Sequence, residues 1–567
     1  MDIRSTYSVD YAQQTMFEFT PKNVQEAIRH YNGDARARHQ RWSDLYWQWD
    51  NTISYNGTFN DKHRLTAILG TSASRRASNY TSAQGDRFAS DDLLYYDLGG
   101  AAAVEKTVLG SDFYGYSLFS VIARANYSYD NRYYFTATAR YDGSSKFADG
   151  NRWGIFPSFS AAWNITSEEF MKDQTLLDQL KLRVGYGVVG NQDIGNYAYQ
   201  TLYGSRIDNG NALIVNDGRR GNPNISWERQ KQANVGIDMA FFNSRLNATV
   251  DAFYINNDNL LVDRTLAGTI GYSRQWQNIG RVNNKGVEIS LSGQIIKSSD
   301  WNWTVSGNIS FDKNEVKSLF DDAIAIYNIN ENVIQREGNI LLGESLNNIY
   351  TYRSGGIAQE SNRALWEGVN YNGKTVAPGD LFALDVSGPN GAKDGIVNEF
   401  DRVVVGKKDP KFYGGFSTDL SYKGFALNAV FVYSHGAKKI SGYYEGLINS
   451  IGESMASTDL LNRWTPQNTN TDIPRVVTNA GGGYNRYNPS DLDYTLQNAS
   501  YLRLSNVTLA YTLPAKLMSN WNTNRLRFYV TGSNLFVITK YKGLDPETGD
   551  YGYPPIKSFV LGVNFGF

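Results

Sequence analysis

The chain has 567 residues, a formal net charge of −1, no cysteine, and an aromatic and glycine content of 39 Tyr, 27 Phe, 12 Trp and 53 Gly. Near-neutrality removes the global field that would draw nucleic acid, and the lack of cysteine excludes a disulfide framework and thiolate metal sites. No run of about 18 apolar residues is present, so no helix is expected to span a membrane. The mean hydropathy of −0.45 suits a soluble protein, and equally a transmembrane barrel in which only alternate residues meet lipid.

The start, "MDIRSTYSVDYAQQ", has no basic segment followed by an apolar one, hence no signal peptide. "TPKNVQEAIRHYNG" reads as a helix with Thr20 as N-cap, Pro21 at its first position and Gly33 as its stop. From about residue 45 onward, period-2 segments recur. "SLFSVIARANYSY" and "RYYFTATARYDG" flank Asp130-Asn131. "TSEEFMKDQTLLDQL" is a short amphipathic piece between strands. "GYGVVG" (Gly185 to Gly190) satisfies G-x-G-x-x-G, but "NQDIGNYAYQ" follows with no apolar helical stripe. A dinucleotide site needs a helix there, so the glycines are assigned to a strand end.

Further on, "NVGIDMAFF" and "RLNATVDAFYI" flank Asn243-Ser244. In "GVEISLSGQII", Val287, Ile289, Leu291 and Ile295 oppose Glu288, Ser290, Ser292 and Gln294. After the polar turn "KSSD" comes "WNWTVSGNISF", with Trp301, Trp303, Val305, Ile309 and Phe311 on one face. "YGGFSTDLSY" and "FALNAVFVY" flank Lys423-Gly424. The chain closes on "SFVLGVNFGF", with Phe559, Leu561, Val563, Phe565 and Phe567 at alternate positions. In all, 14 to 16 strands are expected. Short turns at one end alternate with long polar connections at about 74–112, 191–226, 257–283, 314–410 and 435–499. That asymmetry belongs to an outer-membrane barrel; a soluble sandwich also alternates, with shorter strands and its apolar face inward.

Signals for catalysis are absent. Four histidines, His30, His39, His63 and His435, form no i, i+4 pair, and no nucleophile elbow occurs. The basic cluster "RHYNGDARARHQR" reads as a solvated loop. "DVSGPNGAKDGIVNEFDR" follows the second half of a calcium loop. Asp394, Gly395 as the sharp turn, Ile396 through its carbonyl, Asn398 and Asp401 stand in the expected places. The first half fails, with Asn390 and Ala392 where acids belong, so the alternative is a turn held by Asx hydrogen bonds. Calcium is the cofactor candidate.

"RYDGSSKFADGNRWGIFPSFSAAWNITSEEF", "LKLRVGYGVVGNQDIGNYAY", "NPNISWERQKQANVGIDMAFFNSRLNATVDAFY" and "NIGRVNNKGVEISLSG" stand in that order, followed by "RWTPQNTNTDIPR", "NASYLRLSNVTLAYTLP" and "RFYVTGSNLFVITKYKGLDPE". This series, from about residue 110, resembles the barrel of SusC/RagA-type TonB-dependent transporters of Bacteroidetes. The resemblance implies a 22-stranded outer-membrane barrel with an N-terminal plug and no enzymatic activity. It also implies a SusD-like surface lipoprotein as lid and energy from TonB–ExbB–ExbD through the plug. The cargo would be oligosaccharides or peptides. No plug, TonB box or signal peptide precedes these motifs, so the sequence is expected to be the C-terminal part of a longer transporter. Outer-membrane proteins of this kind commonly end on an aromatic read by the assembly machinery, which assigns Phe567, with Phe565 and Val563, to an assembly signal.

Substrate would meet extracellular loops such as "GGGYNRYNPSDLDY" and "YNINENVIQREGN", where aromatic rings stack on sugars and Asn, Asp and Arg bond hydroxyls. Two rival readings remain open: a structural or adhesive surface barrel without transport, and a secreted soluble carbohydrate-binding β-protein that packs its Trp301 face in a core.

Overall fold

The computed structural model describes every residue except 103–107, 209–210, 267, 321–322, 331–332, 372, 450–454, 477–490, 519–524, 550–551 and 567. Sixteen strands form an antiparallel sheet in chain order. They are β1 Asp2–Thr20, β2 Arg36–Phe59, β3 His63–Asp86, β4 Val108–Tyr129, β5 Tyr133–Ser144, β6 Trp153–Asn164, β7 Leu177–Asn191 and β8 Glu228–Phe241. The rest are β9 Leu246–Asp258, β10 Arg281–Lys297, β11 Trp301–Ser318, β12 Phe412–Tyr422, β13 Phe425–His435, β14 Tyr501–Thr512, β15 Arg525–Thr539 and β16 Ser558–Gly566. Among the described residues no helix is long and apolar enough to cross a membrane.

The expected tight turns fall where period 2 breaks. Asp130 and Asn131 have φ of 50° and 54°, Asn243 and Ser244 of 55° and 56°, and Lys423 of 52°. Asn and Asp visit this region at small cost. The G-x-G-x-x-G stretch lies within β7, so its glycines are strand residues.

Three sequence expectations need correction. The connection assigned to 74–112 is largely strand: β3 runs to Asp86 and β4 starts at Val108, paired from Ser74↔Leu118 to Gln84↔Val108. Ser, Arg, Asn and Tyr alternate there without an apolar face, so the hydrophobic period vanished while the backbone ladder continued. Strands also begin at Asp2, not near residue 45; Ile3, Tyr7, Val9 and Tyr11 already alternate on one face of β1. Thr20 ends β1; the helix is α1, Gln25–His30, entered from Val24. Finally, a register shift between Gln294 and Ile296 sets Ile296 opposite Trp303. Arg245 draws the bulged carbonyls of Gln294 and Ile295 onto its guanidinium at 3.1–3.3 Å, which takes Ile295 out of the predicted alternation.

The chain forms two compact units. The first comprises residues 1–163, 183–233 and 257–279. Its sheet carries the apolar row Ile3–Ile53–Leu69–Ala123–Ala139, with Ile3 77 % and Leu69 56 % exposed. Its compact core lies under the connections: Phe147, Phe156, Ile194, Ile225 and Trp227 are buried together. Trp227 packs 5.2 Å from both rings, tilted against Phe147 and edge-on to Phe156, and donates its indole N–H to the Arg152 carbonyl at 3.0 Å. Two of the transporter-like motifs, "SSKFADGNRWGIFPSF" and "NPNISWERQ", therefore meet as one packed corner.

The second unit comprises residues 164–182, 234–256 and 280–567. Across β11 to β16 one row reads Trp303–Leu420–Leu427–Leu509–Val530–Leu561. The neighbouring row of opposite parity reads Thr304–Asp419–Asn428–Thr508–Thr531–Val560. Apolar side chains stand outward, Leu561 83 % and Trp301 41 % exposed, instead of packing in a core as the soluble reading requires. At the turn ends, Trp301 stacks on Tyr422 at 4.1 Å and Phe425 meets Tyr511 at 4.5 Å, in the manner of an interfacial aromatic girdle.

Candidate ligand-binding site

In the second unit, the connections 319–411, 436–500 and 540–557 fold on one another. Ile357, Trp366, Tyr371, Leu381, Phe382, Val397 and Leu492 form their core, with Phe382 fully buried and Tyr371 1 % exposed. Ion pairs tie distant segments across it. Arg475 binds Asp380 through two bonds of 2.7 and 2.9 Å. Arg402 reaches Asp491 at 2.9 Å and lies 4.5 Å over the Tyr352 ring. Arg503, on β14, meets Asp545 at 2.7 Å and Glu547 at 2.6 Å, joining two of the transporter-like motifs.

A cavity of about 520 Å³ opens among these segments, lined by Asn328, Gln335, Arg336, Glu337, Lys408, Lys439, Tyr541 and Thr548. A second of about 330 Å³ shares Gln335 and Arg336 and adds Glu445 and Asp491. Every cation is neutralised or bonded in place. Lys408 pairs with Glu337 at 2.7 Å and Arg336 with Glu445 at 3.1 Å. Lys439 donates to the carbonyls of Pro546 and Thr548 at 2.5 and 3.0 Å. Asn328 and Asn339 hold the 328–339 segment by side chain-to-backbone bonds of 2.8–3.0 Å. The result is a lining of alternating donors and acceptors in which two of the three cations face carboxylates, suited to a polar ligand. Beside it, Lys542 donates to Asp459 at 2.8 Å and Tyr444 to the same oxygen at 2.6 Å; both bonds hold the Asp459 carboxyl below its ordinary range.

The loop candidate "YNINENVIQREGN" supplies Asn328, Gln335, Arg336 and Glu337 to this cavity. In the other, "GGGYNRYNPSDLDY", positions 481–490 lie outside the described residues. Lys408, Lys439, Tyr541 and Thr548 carried no signal in sequence, since they come from separate connections and converge only after folding.

The calcium-like stretch is a compact turn. Gly395 takes φ of +79°, the left-handed conformation its place requires. The Asp401 carboxylate, fully buried, accepts from the amides of Val386 at 2.7 Å, Ser387 at 3.1 Å and Asn398 at 2.9 Å. Asp394 accepts from Ile396 N at 3.0 Å, Asn398 from Phe400 N at 2.9 Å, and Asp385 from Gly395 N at 2.8 Å. Asp385 Oδ1 is enclosed without a hydrogen-bond partner. Among the described residues no three acidic or histidine side chains gather as metal ligands. As placed, these bonds are those of an Asx-bonded turn. Val563 and Phe565 stand 56 % and 51 % exposed on β16, while Phe567 lies outside the described residues.

Comparison with known proteins places these features. Residues 2–429 match the family model described as TonB dependent receptor-like, beta-barrel. TonB-dependent receptor P3 of Formosa agariphila is 33 % identical over 543 residues, 91 % of this chain and 52 % of that protein. TonB-dependent receptor SusC of Bacteroides thetaiotaomicron is 31 % identical over 477 residues, 80 % of this chain and 44 % of that protein. A solved structure described as the RagAB peptide transporter superposes with a TM-score of 0.82 at 28 % identity, over 100 % of this chain and 60 % of that one. The chain spans about half the length of the curated relatives it matches.

Proposed function

The chain belongs to the TonB-dependent receptor-like β-barrel family, and on that premise we propose that it forms barrel wall and outer loops of a SusC/RagA-type importer in the outer membrane, with oligosaccharide as cargo. The observation that carries this reading is the two-faced sheet. Apolar rows stand exposed as a lipid-facing surface needs, and the opposite rows are rich in Ser, Thr, Asn and Asp. The folded connections lie at one end of the strands, where extracellular loops of such a barrel stand.

The ion-paired cavity around Arg336 favours a hydroxyl-rich cargo over a charged one. Its ion pairs are already made, so a charged ligand would break them, whereas hydroxyls add to their remaining lone pairs and protons. A SusD-like lipoprotein as lid and TonB–ExbB–ExbD as energy source are the partners proposed. Support comes from the relative named SusC and from the neighbour described as the RagAB peptide transporter; that neighbour's cargo keeps peptide as the second reading.

The test is uptake by cells that carry or lack the gene. Loss of growth on a glycan, restored by the gene and abolished when TonB is removed, is the expected result. Undiminished uptake after deletion would favour the structural or adhesive barrel.

A further inference from the structure

The polar face of β2, β3 and β4, in the first unit, carries a patch that neither the lumen chemistry of a generic barrel nor the loop cavity accounts for. Register sets Trp42 opposite Tyr80, Asp44 opposite Ser78 and Tyr46 opposite Arg76. The next strand adds Tyr114 opposite Ser78 and Tyr116 opposite Arg76. At its centre Arg76 grips Asp44 with Nε at 3.0 Å from both oxygens and Nη2 at 2.6 Å, and Ser78 Oγ donates to the same carboxylate. Trp42 and Tyr80 lie 5.1 Å apart, inclined at 35°.

Two features distinguish this patch from ordinary packing. Part of it is open to solvent, Tyr114 44 % and the Arg76 side chain 46 % exposed, with Trp42, Tyr80 and Tyr116 half-buried beside them. At its centre Asp44 and Arg76 cancel each other's charge, and the exposed Asp112, opposite Tyr80, adds a carboxylate that disfavours an anionic chain. Neighbouring strands lie about 4.8 Å apart and residues i, i+2 about 6.7 Å apart, so three strands by three positions offer a flat area about 10 by 13 Å. Flat aromatic faces, a neutral donor–acceptor fork between them and strands that cannot collapse match the alternating C–H faces and hydroxyls of a sugar chain. A sulfated or uronic chain would need an unpaired cation, and Arg76 is already satisfied.

We propose that Trp42, Tyr80, Tyr114 and Tyr116, around the Asp44–Arg76 fork, form a binding platform for a neutral oligosaccharide on the sheet's polar face. This deepens the import reading and rests on it.

The experiment uses the full-length transporter, purified in detergent and also expressed in the gene-deletion host. Maltohexaose, cellohexaose and xylohexaose are the probes, a neutral hexapeptide the control, and calorimetry and uptake the readouts. At least one hexasaccharide should bind, and Trp42→Ala and Tyr80→Ala should each weaken it about tenfold or more, with unchanged heat-modifiable migration on gels. Tyr114→Ala, at an exposed ring, replaces either variant that fails to assemble. If wild type imports none of the three sugars, the import reading fails. If wild type binds and imports a sugar and the variants do so equally, the platform is refuted while import stands. Binding of the hexapeptide alone, or of nothing, also overturns the platform, the latter leaving the aromatic rows to pack against protein.

Discussion

Asp545→Asn isolates what the Arg503 pair contributes. The two side chains are 5 % and 4 % exposed and 2.7 Å apart, so the substitution leaves a buried guanidinium without one of its two carboxylates and the only one that is itself buried. Removing one partner of a buried pair costs about 3–5 kcal/mol. Here Glu547 still holds Nε at 2.6 Å, and Asn keeps the oxygen that accepts from the Glu547 amide at 2.9 Å. The expected loss therefore sits at the low end, about 3 kcal/mol. The double change Arg503→Met with Asp545→Leu removes both buried charges and should fall within about 1 kcal/mol of wild type, with Glu547, 37 % exposed, turning to water. The assay is urea unfolding of the full-length protein in detergent, read as the heat-modifiable folded fraction. A single variant as stable as wild type, or a double variant no better than the single, would refute the argument.

Gly379 has φ of +91°, and a Cβ there would stand 2.4 Å from the Trp464 ring; Gly379→Ala should loosen the loop core by about 2–4 kcal/mol and raise trypsin cleavage of the surface loops. Because Asp459 is held below its ordinary value of 3.8, its contact with Lys542 contributes above that pH and is lost as pH falls through the lower folded value; the melting difference between wild type and Asp459→Asn should shrink below about pH 4. Calorimetry with millimolar Ca²⁺ should give no heat from the 385–401 turn, and heat abolished by Asp385→Asn would overturn the Asx-turn assignment. Deleting Phe567 should lower the assembled barrel in membranes; unchanged levels would remove it from the assembly signal.

The sequence by itself determined the strands wherever one face meets an apolar medium. Period 2 is local, and "WNWTVSGNISF" or "FALNAVFVY" needs no partner to display it. The turns at Asp130-Asn131 and Lys423-Gly424 were equally legible, because their left-handed residues are a local property. Where both faces are polar, as in Ser74 to Gln84, the pattern fell silent while the strand went on, held by ladder bonds to β2 and β4 that only pairing reveals. The loop cavity was half visible through "YNINENVIQREGN", and the rest came from Lys408, Lys439 and Tyr541. The platform of Trp42, Tyr80 and Tyr114 has no sequence signature, since its members sit on three strands and register alone brings them side by side. Local chemistry writes alternation and turns into the chain; which distant side chains share a surface is decided by pairing, a property of the folded whole.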